Sequence, residues 1–66
     1  MELTDVELEI IQAMADLSLN VTAVSKRVYK HRNTVLFHLR RIRKKTGLDP
    51  RKFYDLAELL KGLEAG

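Results

Sequence analysis

Apolar residues recur every three or four positions along most of this sequence, which is the spacing of one face of an α-helix. No window alternates strictly between apolar and polar residues, as a half-buried β-strand does. Breaks in the pattern divide the chain into four segments, which predict four helices. The first two stripes are Val6, Ile10, Ala13, Met14 and Leu17, then Val21, Val24 and Val28. The last two are Val35, Leu39 and Ile42, then Phe53, Leu56, Ala57, Leu60 and Leu63.

Capping residues predict where the first two helices begin. Thr4 followed by Glu7 has the spacing of a capping box, in which each residue binds the backbone N–H of the other. The pattern breaks after this helix. Asn20 or Thr22 is then expected to cap the second helix, since both side chains can accept a hydrogen bond from a free N–H.

The third and fourth helices have equally clear boundary residues. The third is predicted to start at His31 or Arg32 and to end at Gly47, because glycine readily adopts the left-handed conformation that terminates a helix. The fourth is predicted to begin with Asp49 as its cap and Pro50 as its first residue.

The chain has 66 residues and no cysteine, so helix packing must supply most of its stability. A domain of this size buries only about 60% of the surface exposed by its unfolded chain. Disulfides and cysteine–zinc sites cannot add to that. We therefore predict a single all-α domain over residues 1–66, a small four-helix bundle. Apolar runs of at most three residues indicate no membrane span or signal peptide, and a cytoplasmic location is expected.

Charge is distributed unevenly along the chain, although the net charge is only +3. Residues 1–20 contain five acidic residues and no Lys or Arg, whereas residues 21–52 contain eleven Lys or Arg and one acidic residue. Residues 53–66 contain three acidic residues and one Lys. The central segment thus carries the positive charge. This indicates either a polyanionic partner or a solvated basic face, and charge alone favours neither.

A helix-turn-helix pattern spans the second and third predicted helices, with only Tyr29 to His31 between them. At about 100° per residue, the third helix places its apolar seam on one side and a polar, largely basic set on the other. We therefore predict a Fis-like or homeodomain-like bundle in which residues 32–45 form a helix that enters the major groove of duplex DNA. The residues opposite the seam are Asn33, Phe37, Arg40, Arg41 and Lys44.

Four short segments resemble the C-terminal helix-turn-helix domain of the PucR family, bacterial transcription regulators of purine catabolism and sugar-diacid use. They are Asn20–Ala23, His31–Val35 (His-Arg-Asn-Thr-Val), Leu39–Ile42 (Leu-Arg-Arg-Ile) and Thr46–Asp49 (Thr-Gly-Leu-Asp). The resemblance covers residues 5–63. The second and third segments, at this spacing, separate the chain from the related Fis-type domains.

The resemblance implies a recognition helix that begins at the His-Arg-Asn-Thr segment, and usually dimeric operator binding. The chain departs from the family pattern at Lys30, at residues 36–38 and at residues 43–45. Carried onto this sequence, the residues that would contact DNA are His31, Arg32, Asn33, Thr34, Arg40 and Arg41.

The chemistry of individual side chains suggests separate roles at such an interface. Asn33 can donate and accept at once, which suits the major-groove edge of adenine; alternatively it satisfies backbone groups at the helix start. Thr34 suits a phosphate or a thymine methyl, or a local cap. Phe37 suits thymine methyls or a protein interface. The residues predicted to hold phosphates are Arg32, Arg40, Arg41 and Lys44.

Four further basic residues have less specific interpretations. Arg51 and Lys52, in the first turn predicted for the fourth helix, would suit a phosphate at the helix N-terminus, or they are simply exposed. Arg43 and Lys45 flank the apolar seam of the third helix and are interpreted as charges that aid solubility.

Sequence patterns typical of enzymes or metal proteins are not found. There is no glycine-rich phosphate loop, no cysteine and no convincing acid–base pair. His31 and His38 alone are too few ligands for a metal site. We therefore expect no catalytic activity, no cofactor and no small-molecule site within this chain.

A protein-interaction domain is the alternative function. Its partner surface would comprise Leu8, Ile11, Phe37 and Tyr54, which lie off the apolar stripes. The same reasoning predicts a homodimer formed through the first or fourth helix, where Leu8, Ile11 and Leu59 would supply apolar surface. Either helix would leave the basic third helix free.

Overall fold

A computed structural model describes residues 2–65, with side chains as far as residue 63, and contains four α-helices and no strand in that range. No described helix is long and apolar enough to cross a membrane. The predicted all-α fold is confirmed. The helices are α1 (Asp5–Asp16), α2 (Val21–Arg27), α3 (Arg32–Thr46) and α4 (Phe53–Ala65).

The predicted caps of α1 and α2 are present. Thr4 Oγ1 accepts the N–H of Glu7 at 3.1 Å, and Glu7 Oε1 accepts the N–H of Thr4 at 2.8 Å, which completes the capping box. Asn20 Oδ1 accepts the N–H of Ala23 at 3.0 Å. Asn20, rather than Thr22, is therefore the cap of α2.

The boundaries of α3 also agree with the sequence prediction. His31 is the N-cap and Arg32 the first helical residue. At the other end Gly47 has a φ of 76°, and its N–H donates to the carbonyl of Arg43 at 2.8 Å. This left-handed glycine ends the helix as expected.

The predicted start of α4 is wrong, because the helix begins at Phe53 and not at Pro50. The carbonyl of Asp49 accepts the N–H of Lys52 at 3.0 Å, and its carboxylate accepts the N–H of Arg51 at 2.9 Å. These bonds close a turn before the helix. Asp followed by Pro is favoured both at helix starts and in the first two positions of β-turns, so the pair does not distinguish them. Arg51 and Lys52 therefore precede the first turn of α4.

The hydrophobic core contains the predicted stripes of α2 and α3, part of that of α1, and only Leu56 from that of α4. It also contains two residues that were expected at the surface. Ile11 and Leu59 are both 0% exposed, so the interpretation that offers them to a second protein molecule is wrong. Phe53, predicted on the stripe of α4, is 66% exposed because it is the first residue of that helix. The other core residues are Ile10, Ala13, Met14, Val21, Val24, Val28, Val35, Leu39, Ile42 and Leu56.

α1 is the central element of the bundle, since it packs against α2, α3 and α4. This explains why it buries Ile11 in addition to its predicted stripe. α3 packs against α1 and α2 through one side only. Its other side is therefore held outward on the surface.

Candidate nucleic-acid interface

All eight residues predicted to contact DNA are exposed, and they lie on α3 or at its N-cap. On the opposite side of the helix Val35 and Ile42 are 0% exposed and Leu39 is 2% exposed. Helical geometry places six of the eight on or beside the outward side, and His31 precedes the helix as its N-cap. Arg32, the first helical residue, lies on the flank, one turn before Leu36. We call the remaining helical residues the outer face: Asn33, Thr34, Phe37, Arg40, Arg41 and Lys44.

The N-terminus of α3 is capped by a histidine. His31 Nδ1 accepts the backbone N–H of Asn33 at 3.0 Å, so the other ring nitrogen is left to meet a ligand. The alternative in which Asn33 itself satisfies the helix start is therefore wrong. Among the described residues, the amide side chain of Asn33 makes no hydrogen bond to another side chain or to the backbone. Both its donor and its acceptor are available.

The exposed aromatic residue of the outer face supports a neighbouring cation. Phe37 is 47% exposed, and the guanidinium carbon of Arg41 lies 5.6 Å from the centre of its ring. This is the range of a cation–π contact. The ring of His38 also meets that of Phe37 edge-on, with centroids 5.5 Å apart. Phe37 therefore restricts where Arg41 can place its charge.

The cations of the outer face are not neutralised by the carboxylates that the structure describes. Arg40, Arg41 and Lys44 form no ion pair within 4.0 Å in that part of the chain. By contrast, Arg27 of α2 binds Asp16 of α1 at 2.9 Å. The positive charge of the outer face is thus available to an anionic ligand.

Lys45 has a structural role that the sequence interpretation missed. Its Nζ lies 2.6 Å from Oε1 of Glu7, whose residue is only 1% exposed. The description of Lys45 as a solubility charge is therefore wrong. The helical period contained a signal, since Glu7 stands three and seven positions before the buried Ile10 and Met14. The pair ties the C-terminal end of α3 to the start of α1.

The environment of Glu7 stabilises its charged form. Burial by itself raises the pKa of this carboxyl group, but the hydrogen bonds from Lys45 and Thr4 and the charge of Lys45 together outweigh that effect. The pKa is therefore held below its ordinary value of 4.5. Glu7 remains an anion at neutral pH, and so it keeps its attraction for α3.

The connection between α2 and α3 sets the angle at which α3 is presented. Val28 is 7% exposed and anchors the connection in the core, whereas Tyr29 adopts a left-handed φ of 56° and is 95% exposed. The N–H of Lys30 donates to the carbonyl of Ser25 at 3.0 Å. A short helix, a tight turn and a longer helix with an exposed basic face make this chain a helix-turn-helix domain.

The comparison with known protein families agrees with this class. The family model described as the PucR C-terminal helix-turn-helix domain matches residues 7–65, and the chain belongs to this family. Neither a comparison with curated proteins nor one with solved structures gave a significant match. The family is one of helix-turn-helix domains, which indicates a role in DNA-binding transcription regulation and is typical of non-enzymatic proteins. Within the described residues no group of three or more His, Cys, Asp or Glu could hold a metal ion.

Proposed function

We propose that this domain binds duplex DNA in a sequence-specific manner, as part of a bacterial transcription regulator, with α3 in the major groove. The outer face of α3 carries this proposal. It presents unneutralised cations on a helix whose other side is fixed in the core. An α-helix with its side chains is 10–12 Å across, and the major groove is about 12 Å wide. This function requires access to chromosomal DNA in the cytoplasm.

Different residues of the outer face serve different parts of the DNA in this proposal. The free amide of Asn33 is suited to the N6 and N7 atoms of adenine. Thr34 and Phe37 are suited to thymine methyl groups. The residues assigned to phosphates are His31, Arg32, Arg40, Arg41 and Lys44.

The proposed complex contains two copies of the domain. Two recognition helices about 34 Å apart would meet successive major grooves on one side of the duplex. Because Ile11 and Leu59 are buried, we assign this contact to a groove between α1 and α4. Ala15 of α1 and Leu60 of α4 are among the residues that line it. Phe53, which is 66% exposed, also lines the groove. The ring of Tyr54, which is 81% exposed, meets that of Phe53 edge-on, with centroids 5.4 Å apart. Contact there leaves the outer face uncovered.

Light scattering tests the dimer with and without a palindromic duplex. We expect the mass of a protein dimer on the duplex, and we expect Tyr54→Ser to reduce the fraction of protein that forms this dimer. Tyr29→Ser removes another exposed tyrosine away from the groove and serves as the control. A monomer mass on palindromic DNA would contradict dimerisation through this domain.

Binding of labelled random duplex, followed by fluorescence anisotropy across a salt series, tests the main proposal. Each phosphate that is neutralised contributes about −0.9 to the slope of log affinity against log salt, so four or five contacts per protomer give a slope of about −4 for each bound protomer. Replacing both Arg40 and Arg41 by Ala is expected to reduce the magnitude of this slope by about 2. Lys61→Ala, in α4, removes a charge far along the chain from the outer face and should leave the slope unchanged.

No binding at low salt would reject DNA as the partner. The alternative function, a protein-interaction domain, would then be favoured. Its partner surface would not include Ile11, which belongs to the core.

A further inference from the structure

A cleft of about 220 Å³ lies beside the outer face, between α3 and the turn that precedes α4. Three arginines line it: Arg40 and Arg43 from successive turns of α3, and Arg51 from the turn. Leu36 and Leu39 also line it. The cleft thus combines guanidinium groups from two separate parts of the chain.

The charge in this cleft is incompletely balanced. Within the described residues, none of the three guanidinium groups has a carboxylate oxygen within 4.0 Å. The carboxylate of Asp49 also lines the cleft, and one of its oxygens accepts the backbone N–H of Arg51 at 2.9 Å. Three cations against one anion leave a net positive charge. Guanidinium groups suit phosphate because their planar forks can bind two of its oxygens at once.

The position of the cleft relates it to the proposed DNA complex. Arg40 belongs both to the outer face and to the cleft, and Arg43 follows it one helical turn later on the flank. A helix that fills the major groove has phosphates on both of its flanks. The Asp49–Lys52 turn places Arg51 on the same flank.

We propose that Arg43 and Arg51, together with Arg40, form a clamp for one backbone phosphate of the duplex, beside the groove that α3 enters. This proposal rests on the proposed DNA-binding function and adds two contacts outside the recognition face. It also gives the turn before α4 a function. The phosphate fixes how deeply and at what tilt α3 lies in the groove, whatever the base sequence.

The test compares Arg51→Gln with Lys61→Gln by anisotropy on random duplex over a salt series. Each variant removes one charge from an exposed side chain. Because Arg40 and Arg43 remain at the clamped phosphate, Arg51→Gln is expected to weaken binding severalfold at about 50 mM salt. It should reduce the magnitude of the slope by part of the about 0.9 that one neutralised phosphate contributes. Lys61→Gln should leave the slope unchanged. Arg51→Lys keeps the charge and should keep the slope.

The outcomes separate this inference from the function on which it rests. If wild type binds but Arg51→Gln and Lys61→Gln have equal slopes, the clamp is wrong and the DNA-binding function stands. If wild type does not bind duplex at low salt, both are overturned. Titration with inorganic phosphate, followed by the NMR signals of the arginine Nε–H groups, gives a third arm. Saturation at micromolar phosphate without DNA would assign the cleft to a free phosphate compound and overturn the clamp.

Discussion

At its C-terminal end α3 is fastened by several polar contacts, whereas at its N-terminal end it is held by its cap. The ammonium of Lys45 meets Glu7 at 2.6 Å, Thr46 Oγ1 donates to the carbonyl of Ile42 at 2.8 Å, and Gly47 closes the helix. The side chains in this last turn therefore serve the fold as well as the charge of the surface.

The N-terminal end of α3 has a different construction. His31 caps it through one hydrogen bond of 3.0 Å, and the first three helical residues are exposed. Just before it Tyr29 adopts a left-handed conformation that L-residues other than glycine rarely take. The C-terminal end of α3 thus positions the helix, whereas the N-terminal end keeps its donors and acceptors free for a ligand.

Loss of the Glu7 side chain should give the largest effect on stability. Glu7→Ala removes both the partner of Lys45 and half of the capping box, and we expect it to lower the free energy of unfolding by about 2–3 kcal/mol. This loss is smaller than the one expected on breaking a fully buried ion pair, because the Lys45 side chain is 30% exposed and can reach water. Urea denaturation gives the measurement. Glu9→Ala, at an exposed position of α1, should change stability by less than about 0.5 kcal/mol.

The lowered pKa of Glu7 adds a pH dependence with a definite sign. A carboxyl group whose pKa is lower in the folded chain stabilises the fold above its unfolded pKa, and this stabilisation is lost as pH falls through the folded value. The stability difference between wild type and Glu7→Gln should therefore be constant near neutral pH and shrink below 4.5. A difference that grows on acidification would contradict the ion pair.

At the N-terminal end, Asn33→Ala should affect recognition and not stability. On an operator selected from random duplexes with the wild-type domain, the loss of a bidentate base contact should cost about 1–3 kcal/mol. Affinity for random duplex and the free energy of unfolding should be nearly unchanged. Arg40→Ala is the matched comparison, because it should weaken binding to both DNAs alike. Equal losses for Asn33→Ala on both DNAs would make Asn33 a phosphate contact.

The left-handed residue after α3 should resist substitution. Gly47→Ala meets no atom within 4 Å of the added Cβ, so its cost is the backbone strain at a φ of 76°. That strain should lower the free energy of unfolding by about 1 kcal/mol. Gly62→Ala, inside α4, should instead raise stability by about 0.5 kcal/mol, since glycine is unfavourable within a helix. An unchanged free energy of unfolding for Gly47→Ala would show that the left-handed conformation of this residue does not contribute to stability.

The left-handed residue before α3 should respond in the opposite direction. Tyr29→Gly relieves the strain at a φ of 56° but increases the freedom of the unfolded chain, so we expect a net gain of only about 0.5 kcal/mol. Tyr54→Gly, at an exposed position of α4, should lower the free energy of unfolding by about 1 kcal/mol. An equal loss of stability for Tyr29→Gly would contradict the presence of backbone strain at residue 29.

Local sequence patterns determined the helix-turn-helix class, three of the four helix starts and the buried seam of α3. These features depend on residues within one or two helical turns. A Thr-x-x-Glu box, a glycine after a basic turn and apolar residues at three and four positions have the same meaning in most surroundings. The family resemblance rests on similarly short segments, and the match over residues 7–65 confirms it.

Features that depend on distant residues were decided only by the tertiary structure. Glu7 and Lys45 are 38 positions apart, so no local pattern pairs them. Ile11 and Leu59 are buried because α1 is covered by three helices and α4 packs against it. Arg51 reaches the same cleft as Arg40 because Asp49 and Pro50 form a turn before α4 begins. Local periodicity determines which side of a helix is apolar, but packing in three dimensions decides which charges meet and which apolar residues water can reach.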